Sequence, residues 1–332
     1  MNVMLLAAGE GTRLRPHTLA HPKPAIPFLN VPLAYYSLHL VQPIQNLAIN
    51  TFHLPDQIHS LIHNFQKTYP YQAAKNLYIS DEKGQILGSG GGLGKARDFF
   101  LKHKCQEIIL MNADEVILPN SPIPWDQIYS NHQKQNAIAT LFVMDHPEVG
   151  SKFGGIWVDQ SNTVIGFGKT KPMNAIKGYH FVGVQLLSKK IFEYITPEKE
   201  VNILHDSLKN AIDNNEKIEL YKLDCHWFET GNENDFLKAT EQCLQLIPRN
   251  NYLDHFLKIY APNYELRFFN TQPVFIEQNF NIPKSCIIQD FAVFDSSTKI
   301  LPESKMKRVV ALPGSIVDES HEYQGIIASR KP

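Results

Sequence analysis

The sequence predicts an α/β chain: a doubly wound, mostly parallel sheet with helices on both faces, followed by a short left-handed parallel β-helix. Three observations point there. Apolar runs of strand length alternate with segments of helical periodicity through residues 1–245. A glycine-rich turn directly follows the first of those runs. In the tail, Ile276, Ile282, Ile288, Phe294, Ile300 and Met306 recur every six residues.

The elements follow in order. Val3 to Ala8 is continuously apolar, as expected of a strand buried on both faces. Leu33 to Leu40 reads as a helix stopping near Pro43, and Leu47-Ala48-Ile49 as the second strand. Ile58, Leu61, Ile62 and Phe65 fall at helical spacing behind Pro55, which suits a first turn. Leu77-Tyr78-Ile79 is strand-like, and Gly88 to Gly92 precedes a helix expected over Leu93 to Leu101, with a plain flexible loop as the alternative for the glycine run. Ile108 to Met111 and Ala137 to Met144 are further buried strands. Phe153 to Val158 and Thr163 to Phe167 flank Asp159-Gln160-Ser161-Asn162, which predicts an inserted hairpin. Helices at 188–195 and 203–214, a strand at 218–223 and a helix from Glu233 complete the domain. The expected organisation is 1–245 for the α/β domain, 246–272 for a linker and 273–332 for the β-helix, with about three six-residue sides to a coil.

With 43% hydrophobic residues in 332, the chain has material for a large core. A formal net charge of -1 gives no reason to expect nucleic acid or an anionic membrane as partner. Val3 to Ala8 is too short for a signal peptide or a membrane span. Cys105, Cys225, Cys243 and Cys286 show no close pairing, so reduced thiols in a cytoplasmic protein are expected.

The chemistry-bearing residues gather after the first strand. Leu6-Ala7-Ala8-Gly9-Glu10-Gly11-Thr12-Arg13 lets the backbone turn sharply and offer N–H groups to anionic oxygens. No Lys-Ser or Lys-Thr pair completes an ordinary ATPase loop. In Pro22-Lys23-Pro24 the prolines hold Lys23 on a stiff backbone. A rigidly presented Lys beside an Arg and a glycine turn suits a polyphosphate. Asp114 follows the strand at 108–111, at the carboxyl end where parallel sheets bind ligands.

Leu6 to Pro16, Thr18, Pro22-Lys23-Pro24 and Pro27 together closely resemble the signature of the nucleotide-sugar pyrophosphorylases, and a weaker likeness extends over 1–245. The resemblance implies a Rossmann-like nucleotidyltransferase domain that uses Mg2+ and joins a nucleoside triphosphate to a sugar 1-phosphate. It implies that Leu6, Ala7, Ala8, Gly9, Gly11 and Thr12 hold the triphosphate, that Arg13 stabilises developing phosphate charge and that Lys23 binds phosphate. Asp114 is implied as a Mg2+ ligand, with Glu229 of Trp227-Phe228-Glu229-Thr230-Gly231-Asn232 standing where the family has a second Asp. Leu87-Gly88-Ser89-Gly90-Gly91 is similar to the family's nucleobase segment. Gly154-Gly155 and His180-Phe181-Val182-Gly183 are similar to sugar-side segments, which implies sugar contacts for Gly155 and Gly183. The family's Glu-Lys-Pro is replaced by Gly168-Lys169-Thr170-Lys171-Pro172, where either Lys169 or Lys171 stands for the phosphate-binding Lys. The short β-helix looks like that of the mannose-1-phosphate guanylyltransferases, which favours GTP and mannose 1-phosphate. The rival expectations are a uridylyltransferase acting on an N-acetylated sugar phosphate, a cytidylyltransferase for a non-sugar phosphate, and a non-catalytic regulatory homologue. A β-helix tail also offers coil edges through which a homo-oligomer can form.

Overall fold

The computed structural model describes residues 1–196 and 199–327, so the last five residues of the expected tail, 328–332, lie outside the described residues. The chain divides into two compact units. One comprises Met1–Glu10 and Ser37–His226, the other Gly11–Tyr36 and Trp227–Pro332.

The first unit is built on a nine-stranded sheet: β1 (Asn2–Leu6), β2 (Asn46–Thr51), β3 (Asn76–Asp81), β4 (Glu107–Asn112), β5 (Ala139–Met144), β6 (Gly155–Val158), β7 (Val164–Gly168), β8 (Lys177–Ser188) and β9 (Ile218–Lys222). The parallel nucleus has β1 between β2 and β4, with β3 beyond β2. β8 runs antiparallel to both β4 and β5, and β9 is parallel to β5. The expected hairpin is β6 with β7, and β6 also pairs with the start of β8. Met4, Ala48, Leu110, Leu141 and Leu187 join one core cluster with Leu93 and Phe100 from the helices.

Asparagines fix the register of the parallel strands. Asn2, Asn46 and Asn76 stand opposite one another at the amino ends of β1, β2 and β3. Asn46 donates to Asn2 Oδ1 at 2.7 Å, Asn76 donates to Asn46 Oδ1 at 2.8 Å, and Asn2 donates to the Glu107 carbonyl at 3.0 Å. A one-residue slip would turn these amides to the opposite face and break the ladder.

The helix Pro55–Thr68 buries Ile58, Leu61, Ile62 and Phe65, as its spacing predicts. The glycine run differs from expectation: Gly88 opens a helix, Gly88–Lys95, and a second follows at Arg97–Lys102. Tertiary hydrogen bonds override glycine's poor helix propensity, since Gly90 and Gly91 N–H both donate to the Val201 carbonyl, at 2.8 and 3.3 Å. The later helical segments are a 3-10 turn at Lys189–Tyr194 and a π turn at Ile203–Leu208 running into an α-helix at Lys209–Asp213.

In the second unit the tail coils as the six-residue period predicts. Parallel partners are 18 residues apart at Val274 with Ala292 and Ile288 with Met306, and 17 apart at Met306 with Tyr323. That spacing gives three six-residue sides per coil. Ile276, Ile288, Phe294 and Met306 fill its core, with Ile282 and Ile300 packed against them. The segment expected as a linker, 246–272, is structured. Leu253, Phe256, Leu257 and Tyr260 sit at helical spacing and are the buried face of a helix, Asn251–Tyr260. Tyr264–Phe269 then pairs antiparallel with Gln272–Glu277. The tail is tied within its unit through Asn30 donating to the Phe294 carbonyl at 3.0 Å, Arg308 with Glu241 at 3.2 Å, and the Ile326 amide donating to Glu233 Oε1 at 2.8 Å. No helix among the described residues is long and apolar enough to cross a membrane.

Two buried histidines set an acid limit on the first unit. Burial pushes His180 down to about 4, with nearby His146 adding to the effect. Burial also lowers His132, held 2.9 Å from the Thr140 hydroxyl, against the opposing pull of Glu107 and Glu219. Because the folded chain resists protons that the unfolded chain accepts, this stability is fully present above about pH 6.5 and is lost as pH falls towards about 4. For His180 the loss reaches at most about 3 kcal/mol. Denaturant unfolding across that window is expected to show a flatter acid limb in His180→Gln than in the unsubstituted chain; identical acid limbs would remove His180 as a cause.

Candidate functional site

The carboxyl ends of β1, β3 and β4 lead into Ala7–Gly9, Leu87–Gly91 and Asp114 of the first unit. Beyond Leu6 the chain runs through buried Ala7 and Ala8 to exposed Gly9. The Ala7 amide donates to Asn50 Oδ1 at 2.9 Å, and the Ala113 amide donates to the Leu6 carbonyl at 3.0 Å. The second bond ties the end of β1 to the turn that carries Asp114. A Cβ built on Gly9 would meet no atom within 4 Å, so the backbone there is open to a ligand.

Asp114 is partly buried, with a carboxylate neighbour in Glu115. Asn112 donates to Glu115 Oε1 at 2.9 Å, and Ser37 donates to the Asn112 carbonyl at 2.8 Å. Gly183 closes on this turn. Its φ of 81° falls within the register shift of β8, and a Cβ there would lie 2.7 Å from Glu115 Cγ and 2.9 Å from Asn112 Nδ2. The structure therefore brings Gly183 beside the Asp114 turn, and only glycine fits.

The nucleobase-like segment is held from two sides. The Val201 amide donates to the Leu87 carbonyl at 2.9 Å, and the Ile203 amide donates to Ser89 Oγ at 2.9 Å. On the other side the Leu87 amide donates to Glu82 Oε2 at 2.7 Å, while Asn50 Nδ2 donates to Glu82 Oε1 at 2.7 Å. A cavity of about 690 Å³ flanks the helix, lined by Lys83, Leu87, Lys95, Arg97 and Asp98 among others.

On the sugar-like side, buried Gly155 lies under the Trp157 ring, where a Cβ would come within 2.9 Å of Cε2; the indole donates to the Gly168 carbonyl at 2.8 Å. Lys169 and Lys171 are both exposed beyond β7. Phe153 packs against His146 and His180, with ring centres 5.1 and 4.9 Å away.

The second unit carries the cationic part of the signature. Gly11 adopts φ 61°, and a Cβ there would stand 2.8 Å from Thr18 Cγ2 and 3.3 Å from Lys23 Cβ. Thr18 donates to the Gly11 carbonyl at 2.9 Å. Lys23 is buried in the short turn Lys23–Ala25. Arg13 points outward, its side chain 69% exposed, and its guanidinium lies 3.7 Å from the Glu229 carboxylate. Thr12 is exposed beside it. Gly11, Arg13, Lys23 and Glu229 thus share one compact unit.

Three residues here escaped the reading of the sequence: Asn50, Glu82 and Glu115. Each stands at or just after the carboxyl end of a parallel strand or its following turn, which is the signal that marked Asp114.

The family model "Nucleotidyl transferase" matches residues 2–245. Among curated proteins the chain is similar to a UTP–glucose-1-phosphate uridylyltransferase of Synechocystis sp., 27% identical over 72% of this chain and 62% of that protein. It is similar to the bifunctional protein GlmU of Methanocaldococcus jannaschii, 27% identical over 74% and 55%. It is also similar to a mannose-1-phosphate guanyltransferase of Schizosaccharomyces pombe, 25% identical over 86% and 74%. The chain thus spans less than two thirds of the first two of these relatives. The crystal structure of a UDP-glucose pyrophosphorylase complexed with UDP-glucose shares the fold, with a TM-score of 0.59, 19% identity, and coverage of 74% of this chain and 98% of that one. With the model covering most of its length, the chain belongs to the nucleotidyl transferase family, the family of the sugar-1-phosphate nucleotidyltransferases.

Proposed function

We propose that the chain transfers a nucleoside monophosphate from a nucleoside triphosphate to a sugar 1-phosphate, giving a nucleoside diphosphate sugar and pyrophosphate. The observation that carries this reading is the signature turn itself. Gly9 leaves its backbone open, Gly11 takes the left-handed conformation, and Lys23 and Arg13 follow, one buried and one exposed beside Glu229.

In the proposed reaction a phosphate oxygen of the sugar 1-phosphate attacks the α-phosphorus. The bond from that phosphorus to the bridging oxygen breaks, and its electron pair leaves with pyrophosphate. The attacking group is already an anion, so the chain's task is positioning and charge neutralisation. Backbone N–H groups of the turn hold phosphate oxygens, Lys23 binds phosphate from a fixed place, and Arg13 follows charge as it moves to the leaving group. Gly155 and Gly183 are the proposed backbone contacts of the sugar, with Lys169 or Lys171 on its phosphate.

Mg2+ is the proposed metal, with Asp114 of the first unit as its proposed ligand; Glu229 of the second unit is a further candidate carboxylate, proposed on the resemblance alone. Oxygen donors suit this ion, which is commonly held by one or two carboxylates and the substrate's phosphates. When bound, it would offset the negative charge on the triphosphate. Glu229 faces the Arg13 guanidinium, so Arg13 would have to release it.

For substrates we favour GTP and mannose 1-phosphate, on the coiled tail and the similarity to the fission-yeast guanyltransferase across 86% of this chain. UTP with a glucose or N-acetylated sugar phosphate is the second reading, supported by the Synechocystis and Methanocaldococcus relatives. All four cysteines are free, which suits the cytoplasm.

Pyrophosphate release with Mg2+ across a matrix of nucleoside triphosphates and sugar 1-phosphates is expected to single out one pair. Silence throughout, from a folded chain that binds no nucleotide, would overturn the reading in favour of a regulatory homologue. Arg13→Ala is expected to lower kcat by about a hundredfold or more, by analogy with loss of one oxyanion donor, with little change in unfolding. Normal turnover in that variant would end its assigned role. Asp114→Asn is expected to weaken Mn2+ binding to the nucleotide complex, read by electron paramagnetic resonance; unchanged binding would assign the metal elsewhere.

A further inference from the structure

Asn50 and Glu82 form a buried polar chain that the reaction does not use directly. Asn50 ends the apolar run of β2, and Glu82 follows the last residue of β3. Both are almost wholly buried, at 2% and 4% exposure. Four groups are linked in series: the Ala7 amide donates to Asn50 Oδ1 (2.9 Å), Asn50 Nδ2 donates to Glu82 Oε1 (2.7 Å), and the Leu87 amide donates to Glu82 Oε2 (2.7 Å). One end of the series is the backbone just before Gly9. The other is Leu87, the residue just before the glycine helix.

The helix comes close enough to leave no slack. A Cβ on Gly92 would lie 2.5 Å from Asn50 Nδ2 and 3.0 Å from Glu82 Oε1. The pair is therefore packed against the helix that Leu87 precedes, and Gly92 is what allows that approach.

We propose that Asn50 and Glu82 are positioning residues that fix the phosphate-side backbone at Ala7 against the base-side segment at Leu87–Gly92. The two segments hold opposite ends of one nucleotide, so their separation sets its affinity. This rests on the nucleotidyltransferase reading. The chemistry of the series explains the residue types. Both backbone ends are N–H groups and can only donate. Between two fixed donors, the two side chains must present an acceptor at each end and one donor–acceptor contact in the middle. An amide at 50 with a carboxylate at 82 satisfies this. Two amides set a donor against the Leu87 amide or the Ala7 amide, and two carboxylates set bare oxygens against each other in a buried place. The other arrangement that works is the exchange, a carboxylate at 50 with an amide at 82.

That exchange is the test. GTP and UTP affinity, KM and kcat, and amide exchange at Ala7 and Leu87 would be measured on Glu82→Gln, Asn50→Asp and the double variant. Each single variant is expected to raise nucleotide Kd and KM by about tenfold to a hundredfold, the range for one buried unsatisfied group, with a smaller effect on kcat. The double variant is expected to return to within about threefold. Protection of the two amides should fall in the singles and recover in the double. Single variants that bind nucleotide normally, or a folded double variant as weak as the singles, would overturn the proposal. Should the singles fail to fold, the double alone decides, since normal affinity in it supports the polarity rule and weakened affinity contradicts it. An unsubstituted chain that binds neither nucleotide would sink the functional reading, while recovery of amide protection in the double variant would still uphold the coupling of Ala7 to Leu87.

Discussion

A strand buried on both faces must hand its last peptide groups to something other than water, and the chain's candidate chemistry is arranged around that need. Where β1 ends, the Ala7 amide finds Asn50 and the Leu6 carbonyl finds Ala113. Where β2 and β3 end, the Thr51 carbonyl accepts from the Glu82 amide at 2.7 Å, and the Glu82 side chain reaches on to Leu87. Each bond that satisfies a strand end also sets the position of a turn. The turn before Gly9, the Asp114 turn and the glycine helix are all held by it. Rigid support of this kind is what positioning chemistry needs, because a reaction between anions gains more from placement than from a strong base.

Close approach decides which residues line these turns. Gly11, Gly92 and Gly183 each stand where an added carbon would overlap a neighbour by a wide margin. The neighbours are themselves candidate residues or their supports: Thr18 and Lys23 for Gly11, Asn50 and Glu82 for Gly92, Asn112 and Glu115 for Gly183. The glycines are thus the counterpart of the polar side chains that they admit.

Much of this was legible from the residues. The buried strand before Gly9, the hairpin after Phe153 and the six-residue period from Ile276 to Met306 are strong periodic signals, and the structure follows them. The specific spacing of Gly11, Arg13 and Lys23 picks out three residues that lie in one compact unit. The glycine run at 88–92 was not legible, since glycine's weak helix propensity argues against a helix, and the bonds that hold it, among them those to the Val201 carbonyl over a hundred positions away, come from distant parts of the chain. The helix in the expected linker was missed because Leu253 to Tyr260 is a single short amphipathic stretch. Asn50 and Glu82 were silent for another reason. A polar residue at a strand end looks the same in sequence whether it caps a turn, meets solvent or joins two segments of a site.

The measurement that bears most directly on the central claim is phosphorus NMR of the chain incubated with Mg2+, a nucleoside triphosphate and a sugar 1-phosphate. The account predicts that the sugar phosphate monoester signal declines as the paired signals of a diphosphate diester and the signal of pyrophosphate rise together in equal amounts. Release of inorganic phosphate with a nucleoside diphosphate, while the sugar phosphate signal stays constant, would contradict it.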